Sequence, residues 1–160
     1  MIRFETSLGD FTVELYEDKA PETVANFIKY AEDAFFDGTI FHRVVPNFVI
    51  QGGGLAPDFA QKKTRPPIKN EAKNGLRNLR GMLSMARTSD INSATSQFFV
   101  NLVDNAFLDN APGNYGYAVF GKVVEGMDTI DKIAGVDTGV RKGYDDAPLE
   151  TVEIKSARVV

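Results

Sequence analysis

The residues best placed to do chemistry lie in Phe41-His42-Arg43-Val44-Val45-Pro46-Asn47-Phe48-Val49-Ile50-Gln51-Gly52-Gly53, where one arginine and one glutamine interrupt two apolar runs. A cation set among aromatic and aliphatic neighbours is costly to bury without a partner. The ordinary alternative is a half-exposed strand arginine whose stem covers apolar surface. Ser96-Gln97-Phe98-Phe99-Val100-Asn101 repeats the theme, an amide embedded among aromatics. Other chemistries find no support. His42 is the single histidine, and strand alternation turns it away from the face of Arg43, which makes it structural or surface-exposed. Ser84 and Ser96 therefore lack a base, and triad hydrolysis is not expected. Gly52-Gly53-Gly54 is followed by no Gly-Lys-Ser/Thr, so it reads as a glycine turn and not a phosphate loop. The chain has no cysteine, which removes disulfides, thiolate catalysis and thiolate metal sites. One histidine also argues against a His-based metal site.

These residues need elements to hold them. The runs on either side of Pro46-Asn47 read as a tight hairpin, with Phe41, Arg43 and Val45 on one face and His42 and Val44 on the other. Ile2–Thr6 and Asp10–Tyr16 alternate around the turn Ser7-Leu8-Gly9 and form a second hairpin. Gly81–Ala86, Gln97–Leu102, Tyr117–Val123 and Thr151–Val160 supply four more strands. Pro21 opens a helix with Glu22 at its positive end, and Val24, Phe27, Ile28 and Ala31 make one apolar stripe. Met127, Ile130, Ile133 and Ala134, bracketed by Gly126 and Gly135, make a second short helix. Residues 55–80 are polar and turn-rich, a long loop.

No long helix separates consecutive strands, so a largely antiparallel sheet is expected. Two helices are too few to cover both faces of an open eight-stranded sheet. The economical solution is a mostly β fold, a closed eight-stranded antiparallel β-barrel capped by two α-helices.

The 160 residues, 43% of them hydrophobic, fit one globular domain spanning 1–160. No apolar run approaches the ~18 residues of a membrane helix. Met1-Ile2-Arg3-Phe4-Glu5-Thr6 lacks a signal-type apolar stretch, so a cytoplasmic protein without a membrane role is expected. A net charge of −4 gives no general affinity for nucleic acid. Locally, Lys62, Lys63, Arg65, Lys69, Lys73, Arg77 and Arg80 face Glu71 alone. No aromatic is interleaved for base stacking, so a solvated loop is expected there.

The Phe41–Gly53 segment, Gly81-Met82-Leu83-Ser84-Met85-Ala86, Ser96–Asn101 and Val119-Phe120-Gly121-Lys122-Val123-Val124-Glu125-Gly126-Met127 together resemble the cyclophilins, a family of peptidyl-prolyl cis-trans isomerases. The motifs stand in the family's order from about Ile2 to Val160. Ile68-Lys69-Asn70-Glu71-Ala72 looks most like the small bacterial members. The resemblance implies the closed barrel and a site whose catalytic residues are Arg43 and Gln51, the glutamine positioning the arginine. It implies that Phe48, Phe99 and Leu108 form a proline pocket, and that Gln97 and the backbone of Ala86 and Arg87 contact substrate backbone. Val49 stands where methionine is usual, Arg87 where asparagine is, Tyr117 where histidine is, and Phe107 where a tryptophan is associated with tight cyclosporin binding.

Prolyl isomerisation suits such residues. The amide crosses a barrier of ~18–20 kcal/mol with no bond broken. In the twisted state resonance is lost and the prolyl nitrogen becomes more basic, so a catalyst must hold the ring and donate hydrogen bonds. Raising ~0.01 per second to ~1,000 per second lowers the barrier by roughly 7 kcal/mol. One charge-assisted donor in a dry site supplies ~3–4 of it, and restriction of the substrate backbone the rest. The expectation is an isomerase without cofactor or metal, a monomer acting on proline-containing peptides and unfolded or flexible proteins to assist folding, with weak cyclosporin binding. The rival is a proline-peptide-binding or chaperone module in which isomerisation is incidental.

Overall fold

Period-two alternation builds the architecture. The computed structural model describes residues 1–160 and contains β1 (Ile2–Thr6), β2 (Gly9–Leu15), α1 (Pro21–Glu32), β3 (Arg43–Val45), β4 (Val49–Gly52), β5 (Met82–Met85), β6 (Phe98–Asn101), β7 (Val119–Glu125), α2 (Met127–Ala134), β8 (Thr138–Arg141), β9 (Tyr144–Pro148) and β10 (Ile154–Val159). All strands but β8 and β9 form one antiparallel eight-stranded sheet in the order β10-β1-β2-β7-β5-β6-β4-β3. The sheet curls into a barrel, as expected, but its seam is looser than full closure. Its end strands β10 and β3 share no ladder. The extended segment before β3 joins them through an isolated Ile40–Glu153 bridge and the Phe41 N–H to the Val152 carbonyl at 3.0 Å. The space beside β3 is taken by β9.

One face of each strand fills the barrel. Ile50, Leu83, Met85, Phe98 and Val100 join Phe4, Phe11 and Phe120 in the main core. Phe4 stacks on Phe11 with ring centres 4.7 Å apart, and Phe98 meets Phe27 edge-on at 5.3 Å. Aromatic pairs of this kind add ~0.5–1.5 kcal/mol each beyond their buried area. Helix α1 contributes Val24, Phe27, Tyr30 and Ala31, with Ile28 at the margin, while α2 buries Ile130 and Ile133.

The N-terminus of α1 has no cap from its own sequence. The Glu71 carboxylate supplies one from the long loop, accepting from the Thr23 N–H and hydroxyl at 2.7 Å each. That loop is irregular, as expected, apart from one 3₁₀ turn at Ala72–Asn74. Its basic residues are dispersed: Arg65 pairs with Asp33, Arg77 with Asp109 and Arg80 with Asp131.

Two readings need correction. Phe41 does not share a face with Arg43: strand pairing begins only at Arg43, and Phe41 turns into the core beside Phe98. The β8–β9 hairpin has no counterpart among the expected strands. It turns on Lys142 and Gly143, both left-handed at φ 51° and 83°.

Candidate active site

The outer face of β4, β6 and β5 carries the second set of alternating side chains, and the site is built there. In β3–β4, Arg43 lies opposite Gln51, and Gln51 in turn lies opposite Phe99 of β6. The connection uses Pro46 and a left-handed Asn47 (φ 60°), with the Phe48 N–H closing on the Val45 carbonyl at 3.1 Å. Proline second and a left-handed asparagine third is the type II turn pattern. It sets the Phe48 ring beside the arginine, whose Cζ is 5.7 Å from the ring centre.

A chain of amides orients the cation. The Gln51 Nε2 donates to Gln97 Oε1 at 3.0 Å, which leaves Gln51 Oε1 to accept from Arg43 Nη1 at 3.4 Å. Gly54 makes room for this arrangement: a Cβ there would stand 2.5 Å from Gln97 Cγ. None of the five ion pairs in the structure includes Arg43. The half-buried guanidinium therefore keeps donors free of any carboxylate.

Arg43, Phe48, Val49, Gln51, Ala86, Arg87, Phe99, Leu108 and Tyr117 surround one cavity of about 150 Å³. Its floor is a small apolar cluster of Val49, Phe99 and Leu108, separate from the main core, with Phe48, Ala86 and Tyr117 against it. That volume matches a single small ring. Gln97 lies just outside, lining an adjoining polar cavity of about 260 Å³ that shares Gln51, Ala86 and Arg87. Phe107 is 66% exposed and does not line either cavity; it stacks on Phe48 at 5.6 Å. Arg87 lies over the Tyr117 ring at 4.4 Å and donates to the Gly116 carbonyl.

His42 takes no part. It is buried outside the cavity, edge-on to Tyr144, with Nδ1 unpartnered. Burial, reinforced by the neighbouring Arg43, lowers its pKa to about 4. The imidazole is thus neutral at neutral pH, and it does not line the cavity.

A family model described as cyclophilin type peptidyl-prolyl cis-trans isomerase/CLD matches residues 1–159. The chain belongs to that family. It is 54% identical over 155 residues to Peptidyl-prolyl cis-trans isomerase A of Dickeya dadantii, covering 97% of this chain and 82% of that protein. It is 52% identical over 162 residues to Peptidyl-prolyl cis-trans isomerase B of Escherichia coli, covering 99% of both. Among solved structures, the fold superposes on a Cryptosporidium parvum cyclophilin type isomerase, crystallised in the presence of the dipeptide Ala-Pro, with a TM-score of 0.84. That match has 27% identity and covers 99% of this chain and 98% of the other. The activity that goes with this membership is peptidyl-prolyl cis-trans isomerisation.

For this isomerase, sequence reasoning missed the residues lining the adjoining cavity, Gln61, Thr64, Thr88, Ser93 and Thr95, which carry no local pattern. It also missed three buried asparagines behind the pocket: Asn101 and Asn105 adjoin apolar runs, while Asn78 carries no local signal.

Proposed function

We propose that the 150 Å³ cavity holds the proline ring of an X-Pro segment and that Arg43 donates to the amide as it twists. Phe48, Val49, Phe99, Leu108 and Tyr117 grip the ring. Gln51 aims the guanidinium, while Gln97 and the backbone of Ala86 and Arg87 align the substrate chain. The observation that carries this reading is an arginine without a carboxylate partner, steered by an amide onto the rim of a ring-sized apolar cavity. A fixed donor in a partly dry site stabilises charge that develops only in the twisted state, and so acts on kcat.

Substrates are proline-containing peptides and exposed X-Pro segments of unfolded or flexible proteins. The Ala-Pro dipeptide with which the related C. parvum isomerase was crystallised has the matching chemistry. The proposed unit is a monomer of one domain over 1–160, tested by sedimentation equilibrium. No helix is long and apolar enough to cross a membrane. The compartment proposed is the cytoplasm, tested by cell fractionation. A protease-coupled assay on X-Pro peptides, with and without Arg43, tests the site. Loss of turnover with peptide binding retained is expected; undiminished turnover without Arg43 removes the assignment and favours a peptide-binding module with incidental activity.

A further inference from the structure

Behind the cavity, Asn78, Asn101 and Asn105 are only 1%, 0% and 3% exposed. Buried carboxamides are costly unless paired, so the destinations of their donors are informative. Asn101 Nδ2 donates to Asn78 Oδ1 and to the Met82 carbonyl, both at 3.1 Å, and Asn101 Oδ1 accepts from Asn105 Nδ2 at 2.8 Å. Ser84 Oγ completes the cluster by donating to Asn78 Oδ1 at 2.6 Å. Two donors then leave the trio towards the site. Asn105 Nδ2 reaches the Phe48 carbonyl at 3.1 Å, and Asn78 Nδ2 reaches the Leu108 carbonyl at 3.2 Å.

Those two carbonyls belong to cavity walls outside the strands, as do Ala86, Arg87 and Tyr117, and of these walls Phe48 and Leu108 are the ones the trio reaches. Val49 and Phe99 are fixed within β4 and β6, whereas Phe48 sits in the hairpin turn and Leu108 ends a 3₁₀ helix, Ala106–Leu108. Segments without a ladder are the parts freest to shift. Each of the two carbonyls has one backbone donor, Leu102 N–H for Phe48 and Tyr117 N–H for Leu108, both at 2.9 Å. The asparagines supply the second donor and tie both walls to β6 through Asn101.

We infer that Asn78, Asn101 and Asn105 are positioning residues for the isomerase, one buried brace that sets Phe48 and Leu108 at the separation a proline ring requires. The inference rests on the reading of the cavity as the proline site. The ring lies between these walls in both the planar and the twisted state, so a displaced wall weakens both equally. Such a loss raises KM and leaves kcat in place.

The test compares Asn105→Ala and the isosteric Asn105→Asp, which cannot donate when ionised, with Ile133→Ala, a core change in α2 outside the site. Kinetic constants on X-Pro peptides are measured well below each melting temperature. Both Asn105 variants are expected to raise KM about 10-fold with kcat within about twofold, while Ile133→Ala lowers the melting temperature without moving KM. Wild-type KM in folded Asn105→Ala, or an equal KM rise in Ile133→Ala, would overturn the inference. Failure of both Asn105 variants to fold would overturn it too, because the trio would then be holding the fold and not the pocket. Arg43→Ala, run alongside, separates the two ideas: if it keeps full turnover, the reading of the site fails, whereas a normal KM in Asn105→Ala beside an inactive Arg43→Ala sinks only the brace.

Discussion

At the scale of single residues, we propose that rate and drug affinity depend on different side chains. Arg43→Ala removes one electrostatic donor, worth ~2.7–4 kcal/mol, and is expected to lower kcat/KM by roughly 100- to 1,000-fold. Arg43→Lys recovers little, because an ammonium does not reproduce the fork that meets Gln51 at 3.4 Å. Near wild-type activity in either variant would falsify the role of Arg43. Phe107 belongs to the other property. It stacks on Phe48, which lines the cavity, and lacks the indole N–H of the tryptophan that the family resemblance implies for this position. A missing donor leaves a ligand carbonyl unpaired, about 1–3 kcal/mol or roughly 5- to 150-fold in affinity. Phe107→Trp is therefore expected to tighten cyclosporin binding by that factor while changing peptide turnover much less. Titrating both forms with the drug against peptide turnover checks it, and equal inhibition constants would exonerate Phe107.

At the scale of elements, the helix that carries core residues Phe27 and Tyr30 depends on a carboxylate 48 residues away for its start. Glu71→Ala leaves the Thr23 N–H and hydroxyl without that acceptor and removes a charge from the positive end of α1. A loss of about 1–2 kcal/mol is expected, read as a lower urea midpoint at unchanged m-value, with activity retained. A cap of this kind shows the limit of reading a chain in order. The sheet strands and both helices were legible because their apolar residues recur at period two or 3.6. The β8–β9 hairpin was not, since most of its residues are exposed and alternate nothing. Its only local signal was Lys142-Gly143, a two-residue turn with both φ positive. The candidate site divides the same way. Arg43 and Gln51 stood out in one contiguous segment, while their roles and the pocket residues Phe48, Phe99 and Leu108 were legible only through family resemblance. The Gln51–Gln97 bond and the asparagine brace join residues far apart in sequence, and only the folded register brings them together.

At the scale of the whole molecule, acid should act on stability before it acts on catalysis. The proposed reaction uses no titrating group: arginine stays charged throughout the working range, and His42 lies outside the cavity. Turnover is accordingly expected to be flat from about pH 6 to 9, and His42→Gln to retain most of it. Stability behaves differently. The pKa of His42 is lowered in the folded state from 6.5 to about 4, first by burial and then by Arg43. Between those values the unfolded chain binds a proton that the folded protein refuses, so stability is intact above pH 6.5 and falls as pH drops towards 4. From pH 7 to pH 5 that single site costs about 2 kcal/mol, a sizeable part of the 5–15 kcal/mol that holds a typical protein folded. Asp37, held below its ordinary pKa by its hydrogen bond to Arg158, adds a further loss only below about pH 4. Urea denaturation of wild type and His42→Gln at pH 7 and pH 5 separates these effects. Wild type is expected to lose about 2 kcal/mol and the variant to lose little over the same interval, even if the variant is less stable at pH 7. Parallel losses in both would mean that the acid sensitivity lies elsewhere, and a bell-shaped activity profile near neutrality that vanished in His42→Gln would put the imidazole back into the mechanism.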